Sequence, residues 1–368
     1  MAHSPLETEI RRRIALGGPM PVRQFMALCL GHPQHGYYMT RDPLGRSGDF
    51  VTSPEISQVF GELVGLWAAS AWHVMGQPEN VRLVELGPGR GTMMLDALRA
   101  AQVVPAFRAA IVVHLIETSP VLRERQKQAL IGIDLPVMWH QSFDEVPDGP
   151  AIVLANEFFD SLPVNQAIKQ FNGWYERAIE IGADDQLTFG IANEVIPLFD
   201  QMIPRSARDT PIGAIYEWRS DNLPLALGQR MVRQGGAALV IDYGHVTSAP
   251  GETLQAVGDH AFKNPLQSPG QVDLTAHVDF QAFAQAAESM GARVQGPIEQ
   301  AQFLRALGID KRAAALTAFV PPAKAEEIDG AVKRLMGEGR TDMGRLFKVL
   351  AVADPKLGPL PGFESPPT

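Results

Sequence analysis

Val84-Glu85-Leu86-Gly87-Pro88-Gly89-Arg90-Gly91-Thr92 is the stretch from which the fold follows. The short apolar run Val81 to Glu85 reads as a buried strand, and Thr92 to Ala101 has helical periodicity. Between them, glycines let the backbone turn tightly and approach a ligand closely. The helix start then offers free N–H groups and a positive dipole end, which suit an anion. Taken alone, such a loop fits a structural turn as well as a nucleotide-cofactor site.

Working outward, strands and helices alternate. Ile111 to Ile116, Pro136 to Trp139, Ala151 to Ala155 and Ala237 to Ile241 read as further strands, Pro120 to Leu130 as a helix, and Phe347 to Val352 as a last strand. This pattern predicts the α/β class, a Rossmann-like parallel sheet with helices on both faces. Strands four and five are separated by roughly eighty residues, far more than one crossover helix needs. Phe171 to Ile196 looks like hairpin material around Asn172-Gly173 and Ala183-Asp184-Asp185, and Gly228 to Arg233 ends the crossover helix. After Gly244, helices are expected at Phe280 to Met290, Ile298 to Leu307 and Ala323 to Leu335. At the N-terminal end, Leu6 to Leu16, Val22 to Leu30 and a long run from about Pro54 (Ile56, Val59, Phe60, Leu63, Val64, Trp67) have helical spacing. The expected organisation is an N-terminal helical segment with a covering loop over 1–80 and a core over 81–353. Insertions fall at about 170–227 and 250–340, and 354–368 is a flexible, proline-rich tail.

The 368 residues are 45% hydrophobic and 20% charged, the balance of a folded globular chain. The net charge of −9 and pI of 5.5 argue against nucleic acid as a partner. No apolar run reaches membrane-span length, so no membrane insertion is expected. The single cysteine, Cys29, lies among Met26, Leu28 and Leu30 and reads as a buried thiol. His32 and His35 have metal-like spacing but no partnering Cys or acid pattern, so no metal is expected.

The glycine loop narrows the cofactor. A dinucleotide fingerprint wants a small third residue where Thr92 stands, and a P-loop would need Lys-Ser or Lys-Thr at the helix start. S-adenosyl-L-methionine has no pyrophosphate; its anion is the methionine carboxylate, which a short glycine run suits. The expected cradle is Glu85, Gly87, Gly89, Gly91 and Thr92. Glu117, ending the second strand with Thr118 beside it, can accept from both ribose hydroxyls. Because Ser119 already caps the next helix, Glu117 is expected to be free for the ligand. Phe143 could pack on the adenine and Asp144 could accept from its amino group; a surface turn with one anchored Phe explains them equally well.

Strand four runs into Asn156-Glu157-Phe158-Phe159-Asp160-Ser161-Leu162-Pro163, at the end of the sheet that would face the transferable methyl. Pro163 prevents a long helix there. If the acceptor is a guanidinium, its pKa above about 12 makes simple deprotonation hard. Glu157 and Asp160, with Asn156, could clamp its N–H groups and receive the proton; the bland reading is a capping loop. Strand five ends at Asp242-Tyr243-Gly244-His245, where Asp242 reads as structural and His245 as a polar group or a base.

Together these motifs resemble the mitochondrial complex I assembly factor methyltransferases and their bacterial relatives, a protein-arginine methyltransferase family. The matching stretches are His35-Gly36-Tyr37-Tyr38, Gly48-Asp49-Phe50-Val51-Thr52-Ser53-Pro54-Glu55, Glu85 to Thr92, Asn156 to Pro163, Asp242-Tyr243-Gly244, and Gln271-Val272-Asp273-Leu274-Thr275-Ala276-His277-Val278-Asp279-Phe280. The resemblance implies a class I, seven-stranded S-adenosylmethionine-dependent methyltransferase core. It implies symmetric dimethylation of an arginine on the 49-kDa-type iron–sulfur subunit of respiratory complex I. It also implies that 31–55 folds over the cofactor, with Thr52, Ser53 and Glu55 near the pocket, although Thr52 to Glu55 equally reads as a capping box. Arg11, Arg12 and Arg13 hint at a presequence, but Glu7 and Glu9 oppose one. A bacterial, cytoplasmic member is therefore expected, with the mitochondrial matrix as the eukaryotic counterpart; the reading admits a homodimer. Two alternatives remain at this point: an amino methyltransferase of another substrate, and a cofactor-binding assembly chaperone without catalysis.

Overall fold

The computed structural model describes residues 3–45, 48, 52–339 and 342–364. Two compact units share the chain. One comprises Met1–Phe50, Asp160–Ser220 and Thr247–Gln281, the other Val51–Phe159, Asp221–Val246 and Ala282–Thr368. The units therefore do not part at residue 80. The expected insertion over 250–340 is divided between them near Gln281.

The second unit holds the main sheet. Its strands are β1 (Val81–Leu86), β2 (Ile111–Ile116), β3 (Val137–His140), β4 (Ala151–Asn156), β5 (Gly236–His245), β6 (Arg293–Glu299) and β7 (Phe347–Ala353). They lie in the order β6-β7-β5-β4-β1-β2-β3. β7 runs antiparallel to both of its neighbours, and the other pairs are parallel. These seven strands form the expected α/β sheet, but it is mixed, where the alternation of strands and helices predicted a parallel one. All six residues of β4 are buried, as a strand covered on both faces requires.

Helix α1 (Gln58–Val74) starts one turn later than its periodicity suggests. Ser57 is its cap and accepts from the Val59 N–H at 3.2 Å. Its buried side chains include Phe60, Leu63, Val64 and Trp67, which join Leu83, Val113 and Leu239 in one core. At Gly65 a Cβ would stand 2.5 Å from the Cα of Ala97, so only glycine lets α1 lie this close to α2 (Thr92–Ala100). The remaining helices near the sheet include α3 (Pro120–Ala129) and α4 (Asn222–Gln234), the crossover helix.

β6 was expected to be loop and helix. Gly296-Pro297 interrupts its alternation, the register shifts between Gln295 and Ile298, and no residue in it is fully buried. An edge strand tolerates such breaks. The helix after it is shorter than expected, Gln300–Ala306. The tail also differs from expectation. Leu360 is fully buried, Phe363 packs on Phe303 at 5.6 Å, and the Trp67 indole donates to the Pro361 carbonyl at 3.1 Å. Leu357, Leu360 and Phe363 thus anchor this stretch on the core; 365–368 lie outside the described residues.

The first unit is built from helices Pro5–Gly17 and Val22–Gly31 and a five-stranded antiparallel sheet, with a three-stranded sheet over Gln255–Gly258, Ala261–Lys263 and Asp273–Thr275. The expected hairpins are present: Asn165–Gln170, Gly173–Ile181 and Leu187–Val195 pair in succession. Leu6, Ile10, Phe25, Met26, Cys29 and Tyr37 pack with Ile179 and Leu274. Burial pushes the Cys29 thiol up to about 12, which leaves it unreactive. His32 stacks on His35 and meets Glu9 at 3.1 Å. Among the described residues no group of three or more His, Cys, Asp or Glu could hold a metal, and no helix is long and apolar enough to cross a membrane.

Leu360→Ala should cost about 2–4 kcal/mol of stability. Denaturant unfolding checks this; a variant as stable as wild type would restore the loose tail.

Candidate active site

Three motifs far apart in the chain meet where the carboxyl ends of β1, β2 and β4 lie side by side. Leu86 pairs with Ile116 on one side and Ala155 on the other. Ligands bind in the crevice outside the strand ends of such sheets.

The glycine loop follows β1. Gly87, Gly89 and Gly91 have φ of +61°, +55° and +84°, the left-handed region that side chains disfavour. A Cβ at Gly87 would also lie 2.6 Å from Cδ2 of Phe158. α2 begins at Thr92 with no side-chain cap, leaving its first N–H groups to a ligand. The Thr92 hydroxyl instead donates to Glu55, whose other carboxylate oxygen faces Arg90 at 3.7 Å. Glu55 therefore does not close the capping box: Thr52 stands at the N-cap without a side-chain bond, and the acid ties the short helix Ser53–Ile56 to the loop. Of the Gly48 to Glu55 motif, Asp49, Phe50 and Val51 lie outside the described residues.

Ser53 is fully buried, and its N–H donates to Glu157 Oε1 at 2.8 Å. The Asn156 amide donates to the same oxygen at 3.1 Å. Glu157 has φ of +49°, a left-handed backbone that a glutamate holds only at a cost. The surroundings enforce it. The Glu157 N–H donates to the Ile241 carbonyl at 2.9 Å. Asp242, fully buried at the end of β5, accepts from the N–H groups of Phe158 and Phe159 at 3.2 and 2.9 Å. Asp242 is thus structural, as expected. Asp160 belongs to the other unit. There its carbonyl accepts from the Ala276 N–H and from Arg219 at 3.0 Å each, and Arg219 also holds the carbonyls of Leu162, Ala276 and His277.

Glu117 is placed beside the loop, and part of the accepting capacity of its carboxylate is used within the chain. Its carboxylate accepts from the Ser119 N–H at 2.8 Å and from Gln126 at 3.1 Å, while Ser119 Oγ caps α3 through the Leu122 N–H. Thr118 beside it is exposed. Phe143 is buried with the Arg230 guanidinium 5.6 Å from its ring centre, and Asp144 is exposed. Arg230 in turn donates to the Val146, Pro147 and Gly149 carbonyls. Arg230 and Gln126 carry no sequence signal: each lies on a helix rich in polar side chains, and only their burial separates them from solvated neighbours.

Two buried polar atoms here, Glu85 Oε2 and Asn156 Oδ1, have no hydrogen-bond partner among the described residues. Burial pushes Glu85 up to about 8, with Glu117 adding repulsion, and burial also pushes Glu117 up against its donors. A ligand that carries an ammonium, a carboxylate and ribose hydroxyls matches this set: buried acceptor oxygens on Glu85 and Asn156, and a glycine loop running into a helix start that has no side-chain cap. Residues and cofactor therefore fit.

Glu85 also sets a pH dependence. Its proton is held to higher pH in the native state than in the unfolded chain, so this group makes stability fall as pH rises from about 4.5 to about 8. Glu85→Gln should remove that loss, so its advantage in thermal midpoint over wild type should grow from pH 5 to pH 8. Parallel midpoint curves would mean that the carboxyl is ionised throughout.

Comparison with known proteins agrees with this geometry. Residues 63–298 match a family described as putative S-adenosyl-L-methionine-dependent methyltransferases. The chain is 37% identical to a Drosophila melanogaster protein arginine methyltransferase NDUFAF7 homolog, mitochondrial, over 95% of this chain and 85% of that one. It is 36% identical to the Mus musculus protein arginine methyltransferase NDUFAF7, mitochondrial, over 95% and 84%. A likely methyl transferase from Burkholderia thailandensis, solved with S-adenosyl-homocysteine bound, superposes with a TM-score of 0.83 at 27% identity, over 99% of this chain and 97% of that one. The chain belongs to this family of S-adenosyl-L-methionine-dependent methyltransferases.

Proposed function

We propose that the methyl acceptor is an arginine side chain of a protein, and that Glu157 orients its guanidinium. The observation that carries this reading is the Glu157 carboxylate, held by Ser53 and Asn156 on a residue of strained backbone at the strand ends beside the glycine loop. The chain's similarity to protein arginine methyltransferases over most of its length supports it. We further propose that the arginine lies on the 49-kDa-type iron–sulfur subunit of respiratory complex I and ends as the symmetric dimethyl form, as the motif resemblance implies.

On this reading, the glycine loop and the start of α2 hold the methionine carboxylate of the cofactor. Glu85 faces its ammonium, Glu117 its ribose, and Phe143 with Asp144 its adenine, while Thr52 and Ser53 close the pocket. The bound cofactor supplies an electrophilic methyl on its sulfonium. Glu157 presents an acceptor to the planar N–H fork of the guanidinium, a geometry a carboxylate matches well. It fixes the nitrogen lone pair in line and takes up the proton that the nitrogen loses as the new bond forms. Ser53 and Asn156 keep the carboxylate from rotating away.

Glu157→Gln retains an oxygen for Ser53 and Asn156 but lacks the charge. It should bind S-adenosylhomocysteine like wild type in calorimetry and lose transfer by 100-fold or more, on the order of a general acid–base contribution. Transfer within a few-fold of wild type would remove Glu157 from the mechanism. The acceptor itself is tested by mass spectrometry of the complex I subunit from cells with and without the gene. An unchanged dimethylarginine on that subunit would overturn the substrate assignment and leave the methyltransferase intact.

A further inference from the structure

We infer that Gln126 is a positioning residue for the cofactor, because its side-chain amide fastens the Gly89 carbonyl and the Glu117 carboxylate into one arrangement. The inference rests on the assignment of Glu117 to the ribose. Gln126 is fully buried on α3, whose other side chains around it (Arg123, Glu124, Lys127, Gln128) are charged or polar. Its Nε2 donates to the Gly89 carbonyl at 2.8 Å and to Glu117 Oε2 at 3.1 Å, and its Oε1 accepts from the Trp139 indole at 2.9 Å.

The orientation of the amide follows from chemistry. An indole N–H can only donate, so Gln126 must turn its oxygen to Trp139, and its two N–H donors are left for two acceptors. Each of these contacts reaches a different element: the glycine loop, the end of β2, and β3. A left-handed glycine loop has little side-chain packing to hold it, so a polar tie to its backbone replaces what a larger residue would supply. Contact is close as well: a Cβ at Gly91 would lie 3.4 Å from the Gln126 Cα. The same amide hydrogen bond also offsets part of the cost of burying the Glu117 carboxylate. Trp139 thus acts at one remove, by fixing which end of the amide faces the cofactor site.

Calorimetric titration with S-adenosylhomocysteine tests this, with the full chain throughout. Gln126→Met keeps length and volume but leaves the Gly89 carbonyl and one Glu117 oxygen without their donor; affinity should fall by about tenfold. Trp139→Phe keeps an aromatic ring on β3 and should weaken binding by about threefold. If Trp139 acts through Gln126, the two effects are not additive: Gln126→Met should cost less affinity in the Trp139→Phe background than in wild type. At saturating cofactor both variants should keep the wild-type KM for the acceptor, which a general loss of structure would not allow. If Gln126→Met does not fold, the Trp139→Phe titration decides. Gln126→Met within twofold of wild type, or strictly additive effects, overturns the inference. Glu117→Gln separates the layers: undiminished affinity there overturns the ribose assignment, whereas weak binding by Glu117→Gln with normal binding by Gln126→Met overturns only the role of Gln126.

Discussion

The parallel pairing of Val81–Leu86 between Ile111–Ile116 and Ala151–Asn156 is the constraint on which the site depends. Parallel strands carry all of their carboxyl ends to one rim, and here the three central strands of that rim are followed by Gly87, Glu117 and Glu157. The ladder continues past the last paired residues, with Gly87 N–H on the Ile116 carbonyl and Glu117 N–H on the His140 carbonyl at 3.0 Å each. Functional groups emerge from the sheet at fixed height, and the buried apolar strands below them supply the rigidity that a short loop lacks.

What the site gains in placement it loses in comfort. Glu85 has a buried oxygen without a donor, Glu85 and Glu117 repel in a medium that barely screens them, and Glu157 occupies a backbone region that favours glycine. Such costs persist only where neighbours leave no alternative. Asp242 holds two successive N–H groups of the loop after Glu157, Ser53 holds its side chain, and Gln126 ties Glu117 to the glycine loop. Asp242, Ser53 and Gln126 are themselves buried.

Legibility in the sequence followed the range of the forces involved. Strands β1 to β5 and β7 were readable because continuous apolar runs of strand length bounded by glycine or proline have few other uses. β6 was not, because an edge strand can be exposed and interrupted at Gly296-Pro297 without losing its partner. The glycine loop and Glu117 were readable as local motifs. The bonds from Glu55 to Thr92 and from Ser53 to Glu157 were not, because each joins residues more than thirty positions apart. The capping-box reading of Thr52 to Glu55 failed for the same reason: a distant hydroxyl and guanidinium outcompeted a local N–H. The tail after Asp354 looked loose because proline-rich composition says nothing about whether one leucine finds a cavity.

The antiparallel strand Phe347–Ala353 lies inside the sheet, between Gly236–His245 and Arg293–Glu299. During synthesis, the seam between those two strands stays open until residue 353 has left the ribosome. Until then each flanking strand presents an unpaired edge, the kind of surface that recruits other chains. Phe347–Ala353, one strand in from the edge, is therefore the last strand that the chain makes available to the sheet.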